Sequence, residues 1–142
     1  MTLLVESIHN LAANASFEPI DPLECKKTRV IDGVLDYYWP VDESELNRLR
    51  TIFDAPSVKA SGTWVSRPRT NCPHCGKREE FIDQIYTAAK QGAHPPDFMR
   101  AVVLGDIPAI GTGADHNMHC SNCDTELEKY GWKDFPWYHQ TL

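Results

Sequence analysis

Two cysteine pairs constrain this chain more than any other feature. Cys72-Pro73-His74-Cys75-Gly76 and Cys120-Ser121-Asn122-Cys123 each separate two thiols by two residues, and 44 residues lie between the pairs. A tight turn over that spacing aims both sulfurs at one point and brings backbone N–H groups close to them. Two such turns supply a tetrahedral set of four thiolates, a donor set that suits Zn²⁺. Cys72, Cys75, Cys120 and Cys123 are therefore the expected ligands of one structural zinc ion. Gly76 follows the first pair, where such a turn needs positive φ. Asp124 holds the equivalent place after the second, and Asp tolerates that region better than most residues. The fifth cysteine, Cys25, is expected to be an unreactive thiol.

On these two motifs the chain resembles the zinc-ribbon superfamily. The resemblance covers the two knuckles and a few residues around each. It implies that each knuckle sits at the tip of a hairpin and that the metal is structural. The departure is the length between the pairs, because ribbons have about 15–20 residues there. The gap in this chain must hold one or two helices.

Other readings of the same residues are available. Cys72-Pro73-His74-Cys75 resembles the active-site dithiol of thioredoxin-like oxidoreductases, in which a helix N-terminus lowers the thiol pKa. Ile107-Pro108-Ala109 would then be the loop facing it. Against this, Pro68 precedes the motif, no apolar strand leads into it, and the second pair is left unexplained. A catalytic zinc would keep an open position, with His74, His116 or His119 replacing a thiol. The deaminase arrangement, His-x-Glu followed by Pro-Cys-x-x-Cys, is absent, as is His-Glu-x-x-His. Four thiolates would also leave the metal a poor Lewis acid. His116 and His119 are read as residues beside the second knuckle. Gly111-Thr112-Gly113 is read as a turn, and Asn14-Ala15-Ser16 as a chance glycosylation sequon.

The remaining sequence points to an α+β fold. We expect a small mixed domain with short antiparallel β-hairpins, three to four helices and a Cys₄ zinc-knuckle lobe. Residues 1–60 form an N-terminal α+β segment and 61–142 a zinc-binding segment with a helical insertion, joined in one domain. Apolar residues 4, 8 and 11 predict a helix over 2–14, capped by Thr2. A hairpin is expected over 28–41, turning at Asp32-Gly33. Asp42 caps a helix over 43–53, and Asp42 with Glu45 resembles a capping box. Leu46, Leu49, Ile52 and Phe53 form its buried stripe. Pro56 and Gly62 punctuate a loop before a short strand, Thr63-Trp64-Val65. Further helices are expected over 79–91, stopped by Gly92, and from Pro95 to Gly105 with Phe98, Val102 and Val103 inward. Residues 106–115 read as turns, and Asn117-Met118-His119 as a strand entering the second pair.

Charge bounds the partners. With 20 acidic and 14 basic residues the net charge is −6, which repels nucleic acid over the whole surface. Arg67, Arg69, Lys77 and Arg78 form a local basic spot, the basis of an alternative nucleic-acid-binding reading. No apolar run approaches the roughly 18 residues that cross a bilayer, and the N-terminus lacks a secretory pattern. A cytoplasmic location is expected, where disulfides are rare. The preferred function is a non-enzymatic, zinc-stabilised protein that binds another protein, basic or neutral, as an adaptor, inhibitor or immunity-type partner. Asp42, Glu43 and Glu45, and the tail residues Tyr130, Trp132, Phe135, Trp137 and Tyr138, are the candidate partner surfaces, with Trp132 assigned to core and Trp137 to interface.

Overall fold

A computed structural model describes residues 2–21, 25, 27–55, 58, 60–65, 69–91, 96–104, 109–111, 118–126 and 137–141. Helix α1 spans Thr2–Leu11 and runs into a 3₁₀ turn at Ala12–Asn14. Thr2 is its first helical residue rather than a flanking cap. Strands β1 (Lys27–Ile31) and β2 (Val34–Pro40) form the expected hairpin. Its turn residues Asp32 and Gly33 both have positive φ, 52° and 78°, the two-residue geometry whose twist matches that of the flanking strands. Next come helix α2 (Glu43–Phe53) and strand β3 (Ala60–Val65). Helices α3 (Phe81–Gln91) and α4 (Pro96–Leu104), then strands β4 (Ala109–Gly111) and β5 (Trp137–Thr141), complete the chain. The strands form one antiparallel sheet in the order β1-β2-β3-β5-β4. The fold is therefore α+β. No described helix is long and apolar enough to cross a membrane.

The main core is helical. Leu4 and Ile8 of α1, Leu49 and Phe53 of α2, and Met99 and Val103 of α4 pack around Phe81, Ile82, Ile85, Ala88 and Ala89 of α3. The apolar stripe of α2 is as expected, with Leu46 and Ile52 partly buried beside it. On α4 Val103 is buried as expected, but Met99 rather than Phe98 is its buried partner one turn earlier. Phe98 is exposed, while Met99 and Val103 are buried, because neighbouring positions on a helix point about 100° apart. The side chain of Val102, like Gly92 and Gly105, lies outside the described residues.

Other details also differ from expectation. Gly62 lies within β3 rather than in a loop, and Ala109–Gly111 of the expected turn region is a strand. Of the strand expected at Asn117–His119, Asn117 lies outside the described residues and His119 forms an isolated bridge with Glu126. Asp42 does cap α2, accepting the Glu45 N–H at 2.8 Å, but the box is not closed. The Glu45 side chain instead accepts the Ile82 N–H at 2.9 Å and is buried, so it is not part of an exposed acidic set.

That burial has a consequence for stability. Loss of hydration, and then the nearby Glu80, push the Glu45 carboxyl up to about 8 from an ordinary 4.5, with Arg69, the Ile82 N–H and Arg48 pulling the other way. The fold then binds this proton more tightly than the unfolded chain does. Its contribution is fully present below about pH 4.5 and is lost as pH rises through about 8. E45Q keeps an acceptor for Ile82 and removes the ionisation. The wild type should lose stability relative to E45Q by a few kcal/mol between about pH 5 and pH 9, measured by denaturant unfolding. Parallel pH profiles for the two proteins would contradict this.

The C-terminal tail was expected to offer Trp137 to a partner. Its backbone is a strand paired on both edges, with β3 through Trp64↔Tyr138 and with β4 through Ile110↔Tyr138, while the Trp137 side chain lies outside the described residues. Tyr130, Trp132 and Phe135 lie outside the described residues. Deleting 136–142 would leave the backbone groups of β3 and β4 without their ladder partners. We expect the melting temperature to fall by about 10 °C or more, read by circular dichroism. An unchanged melt would show that β5 contributes nothing.

Candidate metal centre

The two knuckles are built alike. In the first, the Gly76 N–H donates to the Cys72 carbonyl at 2.8 Å and the Cys72 N–H to the Lys77 carbonyl at 2.8 Å. In the second, the Asp124 N–H donates to the Cys120 carbonyl at 2.9 Å and the Cys120 N–H to the Thr125 carbonyl at 3.1 Å. A single antiparallel bridge closes each, Asn71↔Arg78 and His119↔Glu126. The residue after each pair takes positive φ, Gly76 at 85° and Asp124 at 64°. Every element of one turn thus recurs at the equivalent position of the other.

The turns bring all four thiols together. The sulfurs of Cys72, Cys75, Cys120 and Cys123 lie within 4.8 Å of one another. Across the two knuckles, Cys72 Sγ is 3.7 Å from Cys123 Sγ and Cys75 Sγ is 3.6 Å from Cys120 Sγ. Disulfide sulfurs would be about 2.05 Å apart. A tetrahedral site with metal–sulfur distances of about 2.3 Å has sulfur–sulfur edges of about 3.8 Å. The cluster therefore has the dimensions of a tetrathiolate metal site.

Electrostatics agree with that reading. Cys72 and Cys120 are buried, and Cys75 and Cys123 half-buried. Burial pushes the Cys72 and Cys120 thiols up, and the Asp83 carboxylate adds to the effect at Cys120. Burial also opposes ionisation of Cys75, but the Asn122 side chain and the Lys77 N–H outweigh it and the thiol is lowered. Four thiolates this close repel one another, and a cation among them removes that penalty. Cys72 is not at a helix N-terminus, since α3 begins only at Phe81. Its raised pKa is opposite to that of an attacking dithiol. His74 is exposed and His119 is not among the clustered groups. His116, Pro108 and Ile107 lie outside the described residues.

Helix α3, inside the long gap, explains how the second knuckle reaches the first. Its apolar residues face the core, and Asp83, Tyr86, Thr87 and Lys90 make a polar stripe at helical spacing. Asp83 Oδ1 accepts the Ser121 N–H at 2.9 Å, and Thr87 Oγ1 accepts the His119 N–H at 3.0 Å. Tyr86 Oη donates to Asp124 at 2.6 Å, and Lys90 Nζ pairs with the same carboxylate. Helix α1 adds His9, whose Nδ1 lies 3.2 Å from the Ser121 carbonyl. The first knuckle is tied to the same helix through Lys77, which is fully buried. Its ammonium donates to Asp83 Oδ2 at 2.9 Å, Glu80 Oε1 at 3.1 Å and the Arg78 carbonyl at 2.7 Å. Asp83 therefore joins both knuckles to α3. Glu80 in turn pairs with the buried Arg48 of α2.

A family profile described as a domain of unknown function, DUF8243, matches residues 15–139. The match takes in both knuckles and nearly the whole chain. The chain belongs to the DUF8243 family. No curated protein and no solved structure matches it.

Within this DUF8243 domain the basic spot proposed from sequence does not form a charged surface. Lys77 is buried in ion pairs and Arg69 is buried, while Arg67 lies outside the described residues. Of the four, Arg78 alone is described with a partly exposed side chain. The residues that sequence reading missed are Asp83, Tyr86, Thr87 and Lys90. The available signal was their i, i+3, i+4, i+7 spacing on the face of α3 opposite its apolar residues.

Proposed function

We propose that Cys72, Cys75, Cys120 and Cys123 hold one structural Zn²⁺ and that the chain works by binding another protein, as an adaptor, inhibitor or immunity-type partner. The observation that carries the metal assignment is the pair of sulfur–sulfur edges at 3.6 and 3.7 Å, close to those of a tetrahedral zinc–thiolate site. When bound, zinc supplies a crosslink between two turns far apart in sequence. Four thiolates leave no open coordination position and make the metal a weak Lewis acid, which argues against metal-centred catalysis. Net charge of −6 favours a basic or neutral partner and steers its approach. A zinc-ribbon-like lobe that anchors a helical core, in a single cytoplasmic domain, is the architecture this reading implies.

The competing dithiol reading makes a different forecast. With zinc bound, an alkylating agent near neutral pH should spare the four clustered thiols, and the protein should not reduce insulin disulfides. Rapid alkylation of Cys72 with insulin reduction that depends on it would replace the structural reading by a redox one. For the binding role, association with a basic partner should weaken steeply as ionic strength rises. Binding to duplex DNA that persists at about 150 mM salt would favour a nucleic-acid-binding module instead.

A further inference from the structure

Away from the cysteines, a cavity of about 220 Å³ lies between the end of β2, the start of α2 and the chain around the first knuckle. One water needs only about 10–15 Å³, so this space accommodates a small molecule. Trp39, Arg69, Arg78, Glu79, Ile20 and Pro40 contribute to its wall. Trp39 and Arg69 are 4% and 6% exposed, and both carry buried N–H groups that have no hydrogen-bond partner among the described residues. These groups are Nε1 of Trp39 and both Nε and Nη2 of Arg69.

Buried donors without partners are rare, because each forfeits its hydration without compensation. The unpaired atoms of Arg69 are also not an arbitrary pair. Nε–H and Nη2–H point from the same edge of the guanidinium and form the parallel fork that matches two oxygens of a carboxylate. Arg48 nearby presents no such fork, since both of its terminal nitrogens are committed to Glu80 and its Nε alone is left without a partner.

We infer that this cavity binds a small organic monocarboxylate, with the Nε–Nη2 edge of Arg69 holding its two oxygens and the Trp39 indole N–H donating to one of them. The apolar part of the ligand would lie against Ile20, Pro40 and the Trp39 ring. The surrounding acids decide for one negative charge over two. Asp42 accepts the Glu45 N–H, Glu79 accepts the Thr70 N–H, and Glu80 is engaged by Arg48 and Lys77. Glu45, raised to about 8, is uncharged near neutral pH. The unpaired fork of Arg69 matches the two oxygens of one carboxylate, and the carboxylates of Asp42 and Glu79 in the same wall oppose a second negative charge such as that of a phosphate dianion.

The inference does not depend on the metal and is tested on the zinc-loaded full chain. Propionate, propionamide and inorganic phosphate are titrated while the indole N–H resonances are followed by ¹⁵N NMR, with W39F identifying the Trp39 signal. Propionate should shift that signal saturably, while propionamide and phosphate should bind more weakly by about tenfold or more. R69K keeps the charge but loses the fork and should weaken propionate binding similarly. No saturable shift with propionate, or equal binding of propionamide or phosphate, would overturn the assignment. So would unchanged propionate affinity in R69K. If R69K fails to fold, the comparison of the three probes on the unsubstituted protein still decides.

Discussion

If the four cysteines hold zinc as proposed, a chelator is expected to unfold at least the knuckle lobe, the largest effect that assignment implies. A structural zinc site contributes roughly 10–16 kcal/mol of apparent binding free energy, comparable to the whole stability of a domain, about 5–15 kcal/mol. Besides the thiols, the described links between the knuckles run through α3, chiefly Asp83, and through the N-terminal segment, where His9 meets Ser121 and Ser16 accepts the Arg78 N–H. Without metal, four thiols in van der Waals contact cannot replace that crosslink. Adding a strong chelator should therefore expose the thiols to reagent and lower the melting temperature sharply, and excess zinc should reverse both changes. A protein whose melt is indifferent to chelator would require these cysteines to be held by something else.

Replacement of Asp83 by Ala should be the most damaging single change outside the cysteines. Asp83 is fully buried and accepts from Lys77 Nζ, the Glu80 N–H and the Ser121 N–H. Its removal leaves a buried ammonium with Glu80 as its remaining carboxylate partner and strands two backbone donors. Breaking a buried ion pair from one side costs about 3–5 kcal/mol. Equilibrium unfolding of zinc-loaded D83A should show a loss of at least that size. D83N should be intermediate, since it keeps an acceptor and loses the charge. The double variant K77M/D83L should be less destabilised than the sum of its single changes, because it removes both charges together. A cost below about 1 kcal/mol for D83A would mean that the two knuckles are not joined through this carboxylate.

The parts of the fold set by local rules were legible in the sequence. The Asp32-Gly33 turn, the Asp42 cap, the stripe of α2 and the paired knuckle turns all depend on residues within a few positions of one another. What the sequence concealed is long-range. Lys77 and Asp83 are charged residues of types that are almost never fully buried unless paired, and pairing is visible only once α3 is folded against the knuckle. Asp83 and Ser121, whose N–H it accepts, are 38 positions apart. Glu45 looks like a capping-box acid because its spacing from Asp42 is right, yet Ile82 on another helix competes for its carboxylate and wins. Strand β5 was hidden for the same reason. Aromatic residues near a terminus carry no signal of which strands will pair with them, and β5 is positioned by β3 and β4, far away in sequence. The cavity beside Trp39 and Arg69 likewise brings together residues from three separate stretches, so no motif announces it.

The central claim is that four cysteines hold one metal ion between two matched turns. Elemental analysis of the purified protein, combined with X-ray absorption at the zinc edge, tests it most directly. The proposed assignment predicts one zinc per chain surrounded by four sulfur atoms at about 2.3 Å, with the metal lost in C72S and in C120S. Protein that contains no metal, yet has four titratable thiols at these positions and an intact fold, would contradict it.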